Sequence, residues 1–403
     1  MKKFLHPLIN NRFETEEISA AIKVIKSKQL TISKITKNFE VKFAKYIGAK
    51  YAVMVNSGSS ANLLAVSAAC NPAGDNNLKR GDEVIIPGIC WSTSLWPLIQ
   101  YGLKPVFADI EIDTLNMSID DLKSKITKKT KMIFCVHVLG NSTNMHQVKN
   151  LAKKNNLLII EDACEALGSK YQEKKLGTFG NFGTFSFFYS KQITSGEGGM
   201  IVCDNKRDYQ LLLALRSHGW SRNEKTHHQK MLRLYPKLEP RFIFSNYGYN
   251  LRPMEIQAAI ANEQLKKIKK FEKNRTFNRK SIIENFYQNK NNVDKLSFIK
   301  SAKNVTAKWC GIPFLLNKNL KNDKFKIIKK IEKLGLETRP IVCGNILNQP
   351  AIKLFNLNNR NIKLKNCQEV DERGIYIGLK TKKNPIRVSK QIADILNKSL
   401  DNY

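Results

Sequence analysis

Three stretches of this 403-residue chain hold residue types that could do chemistry. The segment Asn56-Ser-Gly-Ser-Ser-Ala-Asn62 lies between the apolar run YAVMV and a helical pattern opening near Ser60. Small residues there let the backbone approach a ligand, and the free N–H groups of a helix N-terminus attract an anion such as phosphate. Ordinary helix capping would use the same residues. Asp162 ends the apolar run LLIIED, where a strand of an open α/β sheet delivers its last side chains to the ligand crevice. A carboxylate there could hold a cationic group or cap the next turn. Lys191 follows the aromatic run FSFFYS and precedes the glycine-rich turn SGEGG. Desolvation in such a place would lower its pKa and make it a nucleophile.

An anion cradle, a carboxylate and a lysine are together what pyridoxal phosphate asks for. The cradle takes the phosphate, the carboxylate keeps the pyridine nitrogen protonated so that the ring acts as an electron sink, and the lysine attaches the aldehyde. Other cofactors fit less well. Gly177, Gly180 and Gly183 are spaced GxxGxxG and follow the Asp162 strand, so they do not form a dinucleotide fingerprint. There is no GxxxxGK[ST], and the six histidines, at 6, 137, 146, 218, 227 and 228, offer no metal-ligand spacing. The adjacent pair His227-His228 reads as a solvated loop feature.

The elements that must position these residues are visible as alternation. From about residue 50 to 205, short apolar runs alternate with helical patterns, the signature of βαβ units and a mostly parallel sheet. Several runs are apolar almost throughout, as strands covered on both faces must be. GTFSFFYS and GGMIVCD follow one another without a full helix, which predicts a local antiparallel or irregular addition. Residues 208–219 read as a helix and the polar, proline-containing stretch 220–245 as a long loop or flap. A strong helical pattern starts at Pro253, and residues from about 285 mix short strands and helices. The expected organisation is a large α/β domain over 1–252, then a linker helix and smaller C-terminal α+β domain over 253–403.

Charge and composition narrow the classes. Lys plus Arg number 68 against 34 Asp plus Glu, a formal charge of +34, yet 42% of residues are hydrophobic, which excludes a disordered basic tail. Of the 68 basic residues 54 are lysine, spread along the whole chain. A dedicated nucleic-acid protein clusters its bases and favours arginine, so the expectation is no nucleic-acid partner and a positive field suited to small anions. Eight cysteines without a CxxC pair read as buried free thiols of a reducing compartment. No apolar stretch is long enough for a signal peptide or a membrane span, so a cytoplasmic location without membrane insertion is expected.

The motifs NSGSSANLLAV (56–66), KRGDEVIIPG (79–88), IIEDACEALGSKY (159–171), GTFSFFYSKQITSGEGGMIV (183–202) and YGYNLRPMEIQAA (247–259) resemble those of the DegT/DnrJ-type, pyridoxal-phosphate-dependent nucleotide-sugar aminotransferases. The resemblance covers nearly the whole chain. It implies a fold-type I architecture, a mostly parallel seven-stranded sheet between helices with a small C-terminal domain, in homodimers that share active sites. It also implies that Lys191 attaches the cofactor and moves protons, that Asp162 partners the pyridinium and that Trp91 stacks on the ring. By the same resemblance Gly58, Ser59 and Ser186 contact the phosphate, Asn250 reaches it from the partner subunit, and Glu165 lies beside the ring at a position whose identity varies. His137 would line the pocket or serve as a structural histidine. The segments ALRSHGWSR, GYNLRPMEIQAA and ETRPIVCGNILNQPAIK are most similar to the ketosugar 3-dehydratase branch, whose members carry histidine where this chain has Lys191. The lysine implies transamination of a nucleotide-linked 4-keto-6-deoxy sugar, with glutamate as amino donor, in surface-polysaccharide synthesis. Dehydration at C3 is the alternative, and a non-catalytic cofactor- or nucleic-acid-binding protein the third reading. Substrate contacts are expected from the 220–245 flap and the small domain, Arg339 among them.

Overall fold

The structure is a computed structural model and describes residues 4–8, 13–223, 225–358, 361–401 and 403. The apolar runs become β1 (Tyr51–Val55), β2 (Glu83–Pro87), β3 (Lys104–Ala108), β4 (Thr130–Val136), β5 (Leu158–Asp162), β6 (Phe182–Ser186) and β7 (Gly199–Cys203). They form one seven-stranded sheet in the order β1-β7-β6-β5-β4-β2-β3. Strands β2 to β6 pair in parallel. The expected antiparallel addition is β7, which is wedged between β1 and β6 and places Gly199 opposite both Val55 and Ser186.

Both faces are covered, which is why the strands read as nearly continuous apolar runs. The helices of this part of the chain are α1 (Thr15–Ser27), which packs on the later helix Glu255–Phe286, and α2 (Lys34–Ile47), α3 (Gly58–Cys70), α4 (Ser92–Gln100), α5 (Ile119–Lys125), α6 (Met145–Asn155) and α7 (Lys206–Arg216). Strand side chains alternate. Val53, Val55, Ile160 and Phe182 therefore join Leu64 and Ala65 of α3 in one core, while Met54, Ile159 and Phe185 join Phe39 and Phe43 of α2 in the other. The aromatic run packs edge-on against α2, with ring centroids 5.2 Å apart for Phe43–Phe185 and 5.5 Å for Phe39–Phe187.

The stretch 220–245 departs from its loop reading, because it contains α8 (Lys225–Leu234), a helix with no buried residue. Its Lys, Gln, Met, Leu and Arg are good helix formers even though they show no core face. His227 and His228 bond to Ser245 and Ser221, each at 2.9 Å, so the pair has protein partners in place of solvent alone.

The long helical pattern is α9 (Glu255–Phe286). Its first residue also starts another helix. The Ser33 side chain does not cap α2. The buried Glu255 carboxylate instead accepts the Ser33, Ile35 and Thr36 N–H groups at 2.8, 2.8 and 2.9 Å and the Thr36 hydroxyl at 2.6 Å. Such N–H groups have no partner inside their own helix.

Beyond α9, β8 (Leu296–Phe298), β9 (Gly311–Leu316), β10 (Thr338–Arg339) and β11 (Gly374–Gly378) make a four-stranded antiparallel sheet in the order β8-β9-β11-β10. Asp109, just past β3, ties this part to the large sheet. Its carboxylate accepts the Asn366 and Cys367 N–H groups, both at 2.9 Å, at the start of helix Lys365–Arg373. All eight cysteines are free; Cys90, Cys135, Cys203 and Cys367 are buried, whereas Cys70, Cys164, Cys310 and Cys343 are only partly so. No helix among the described residues is long and apolar enough to cross a membrane.

Candidate active site

Strand alternation decides where the two carboxylates of β5 point. Asp162 shares the face of Leu158 and Ile160 and meets α3 and α4, whereas Glu161 turns to the other face. One Asp162 oxygen accepts Asn62 Nδ2 at 2.8 Å and Ser94 Oγ at 2.7 Å, and the other accepts the Cys164 N–H at 3.0 Å. Thr184 donates to Asn62 Oδ1 at 2.6 Å, which fixes the orientation of that amide. Asp162 is 5% exposed and forms no ion pair among the described residues. A buried anion with neutral donors is a site for a cationic N–H. Asn62 and Ser94 were not singled out by sequence reasoning; the available signal was a lone amide inside the otherwise small and apolar helix GSSANLLAVSAAC.

Ser57 caps α3 by accepting the Ser60 N–H at 3.0 Å. Gly58 is packed so closely that an added Cβ would lie 2.6 Å from Ser186 Cβ and 3.1 Å from Cys164 Sγ. At Gly199 it would lie 2.2 Å from the Ser57 carbonyl oxygen. Ser186 faces α3 because its neighbours Phe185 and Phe187 fill the opposite core. Its Oγ accepts the Phe188 N–H at 3.2 Å, and the exposed Ser59 hydroxyl donates to Thr93 at 2.9 Å. Gly58, Ser59 and Ser186 thus converge on one helix N-terminus, a geometry suited to a phosphate.

Lys191 lies in the loop after β6 with Nζ 3.0 Å from Glu165 Oε1, while the other Glu165 oxygen accepts the Leu139 N–H at 3.0 Å. The expected lowering of the lysine pKa is not found. Burial, the largest single influence, penalises the ammonium, but the Glu165 carboxylate together with smaller influences from Cys310 and Cys164 more than offsets it and the net shift is upward. The partly buried thiols of Cys164 and Cys310 flank the pair and stay neutral, because burial raises both, that of Cys310 to about 12.

The remaining residues are more dispersed. Trp91 immediately precedes α4 and is 57% exposed. Asn250 is exposed and accepts Arg252 Nε at 2.9 Å, a bond within its own segment. His137 is buried with Nε2 3.0 Å from Glu161, which also accepts the Gly177, Phe179 and Gly180 N–H groups at 2.8, 2.5 and 2.7 Å. The glycine-rich run therefore wraps a buried carboxylate, on the face away from Asp162. Arg339 lies on β10 opposite Tyr376 and pairs with Glu337 at 2.7 Å. Among the described residues no group of three or more His, Cys, Asp or Glu could hold a metal ion.

Residues 11–394 match the model of the DegT/DnrJ/EryC1/StrS aminotransferase family. The chain is 37% identical over 93% of its length to a GDP-4-keto-6-deoxy-D-mannose 3-dehydratase of Escherichia coli O55:H7, covering 95% of that protein. It is 35% identical to a GDP-perosamine synthase of Escherichia coli O157:H7, over 75% of each chain. An E. coli GDP-4-keto-6-deoxy-D-mannose-3-dehydratase structure with bound hydrated PLP superposes with a TM-score of 0.89 at 34% identity, over 98% of this chain and 100% of the other. The chain belongs to the DegT/DnrJ/EryC1/StrS aminotransferase family, and its cofactor is pyridoxal phosphate.

Proposed function

We propose that the protein is an aminotransferase that moves an amino group from glutamate to the keto carbon of a nucleotide-linked 4-keto-6-deoxy sugar. The observation that carries this reading is Lys191, an amine 3.0 Å from Glu165 in the loop after β6. When bound, pyridoxal phosphate supplies an aldehyde that captures amines and a ring that accepts electrons from the substrate carbon. The chain's own residues do the rest. Asp162, held by Asn62 and Ser94, would keep a proton on the ring nitrogen, and Trp91 would cover the ring. Gly58, Ser59 and Ser186 bind the phosphate at the α3 N-terminus. Lys191 Nζ takes the proton from the reacting carbon and returns one, while Glu165 Oε1 stabilises the ammonium in between.

A second reading is a 3-dehydratase, supported by the 37% identity to such an enzyme across most of the chain. Incubation with glutamate and a panel of nucleotide-linked 4-keto-6-deoxy sugars, GDP-linked ones first, separates the two. Mass spectrometry of an aminated product supports transamination; a deoxygenated product without nitrogen overturns it. Normal turnover by Lys191→Ala would refute both the role of this lysine and the leading proposal.

The same reading includes a cytoplasmic homodimer with shared sites. What supports the dimer is the exposed apolar series Leu234, Tyr235, Leu238, Phe242 and Phe244, a few residues before Asn250. It also includes a large domain over 1–252 and a linker-plus-small domain over 253–403, which α9 would join.

A further inference from the structure

We infer that Arg275, on α9, is a positioning residue that sets the place of Lys191 by gripping its main chain; this rests on the reading of Lys191 as the cofactor-attachment residue. The segment between β6 and β7 is irregular yet buried: Gln192, Ile193, Thr194 and Ser195 are 2%, 0%, 0% and 6% exposed. Buried main-chain groups outside regular structure need partners. The segment closes on itself through the Phe187 N–H to the Gly198 carbonyl at 2.8 Å and the Ser195 N–H to the Phe187 carbonyl at 3.0 Å. The carbonyls of Lys191 and Gln192 point the other way, to α9. Arg275 donates to both, Nη2 to Lys191 O at 3.2 Å and Nη1 to Gln192 O at 2.9 Å.

A guanidinium fork can hold two successive carbonyls in one plane, whereas a lysine ammonium is a single flexible point. The site keeps this cation at a cost. Arg275 is 5% exposed, and burial brings its pKa down to about 10, eased by the charge of Glu272 one turn away. Glu272 is itself held by the Tyr46 hydroxyl at 3.0 Å. Arg275 nonetheless remains charged at neutral pH, so the grip is present under working conditions. One turn further along α9, Asn278 donates to the Lys380 and Lys382 carbonyls at 3.2 and 2.9 Å. A single helix face therefore touches both the Lys191 loop and the chain following β11. The attachment lysine is registered against the C-terminal part of the protein rather than against its own sheet alone.

The test uses the full chain stripped of cofactor and mixed with pyridoxal phosphate, following the borohydride-reducible chromophore by stopped flow. Arg275→Gln and Arg275→Lys are expected to slow attachment by about 10- to 100-fold, the scale of a misplacement near 1 Å, with Arg275→Lys the less affected. Gln264→Ala removes the second α9 tether, the 3.4 Å bond to the Thr194 N–H. It is expected to lower the melting temperature while leaving the attachment rate at the wild-type value. Wild-type rates in both Arg275 variants, or equal slowing in Gln264→Ala, overturn the inference. If Arg275→Gln does not fold, Arg275→Lys decides alone. A wild-type chain that forms no chromophore, or a Lys191→Ala chain that forms one, overturns instead the reading of Lys191 on which the inference stands.

Discussion

Replacing Glu165 by glutamine tests the electrostatics of the site directly. Lys191 Nζ and Glu165 Oε1 are 3.0 Å apart, and their side chains are 19% and 24% exposed. For two unit charges about 3 Å apart and an effective dielectric constant of about 40, between the protein-surface value and water, the attraction is about 3 kcal/mol. Glutamine keeps the shape and an oxygen for the Leu139 N–H, but it removes the charge. Burial, the largest influence on Lys191 and one that disfavours its ammonium, then acts without its main opponent. At a fixed pH below the wild-type pKa, 3 kcal/mol corresponds to about 100-fold more neutral amine. Only the neutral amine attacks the cofactor aldehyde. Glu165→Gln is therefore expected to accelerate pyridoxal phosphate attachment at neutral pH by up to about 100-fold and to move its pH profile downward, while turnover falls because the ammonium formed in catalysis loses its counter-ion. Stopped-flow mixing of cofactor with the stripped protein across a pH series measures both. Attachment that is unchanged or slower at neutral pH would show that Glu165 does not hold the proton on Lys191, and the argument would fail.

Other consequences can be checked separately. Glu255→Ala strands three helix-start N–H groups and one hydroxyl, and should cost about 2–4 kcal/mol in urea unfolding; an unmoved midpoint would contradict the capping role. Gly58→Ala forces a Cβ to within 2.6 Å of Ser186, and overpacking of about 1–3 kcal/mol should weaken cofactor binding about tenfold or more in an absorbance titration. His6 is buried beside Leu336, and burial, with Lys380, holds its pKa below the ordinary 6.5. Since the unfolded chain then binds more protons, stability should be full above about 6.5 and fall as the pH drops towards the lowered folded value. A His6→Gln chain should lose that part of the slope, and an identical slope in both would exclude His6 as its source.

Much of the architecture was readable because the physics behind it is local. Strands covered on both faces must be apolar throughout, so YAVMV, EVIIP and LLIIED marked themselves. The missing helix between GTFSFFYS and GGMIVCD marked the antiparallel strand. Asp162 and the segment around Gly58 stood out because they occupy a strand end and a helix start, and Lys191 because of the aromatic run and glycine-rich turn that flank it, whereas Ser186 entered through the family resemblance. What escaped depended on pairing across the chain. The upward shift of Lys191 comes from Glu165, on a different turn of the fold, and no local pattern reports their 3.0 Å separation. The cap on α2 comes from Glu255, more than two hundred residues away. The helix Lys225–Leu234 escaped for another reason, since it buries no residue and its strongly polar composition reads as loop.

The wedging of β7 between β1 and β6 also sets an order of events during synthesis. Among the described residues β1 pairs only with β7, so the first strand made is an edge without a neighbour until residue 203 has emerged. Until then the α3 N-terminus lacks the packing of Gly199 on the Ser57 carbonyl, although Gly58 already meets Ser186 and Asn62 already meets Asp162. A chain ending before β7 would hold Gly58, Ser59 and Ser186 but not the strand that packs against the helix start carrying the first two. The large sheet is thereby closed, and its first strand paired, by the last of its strands to be made.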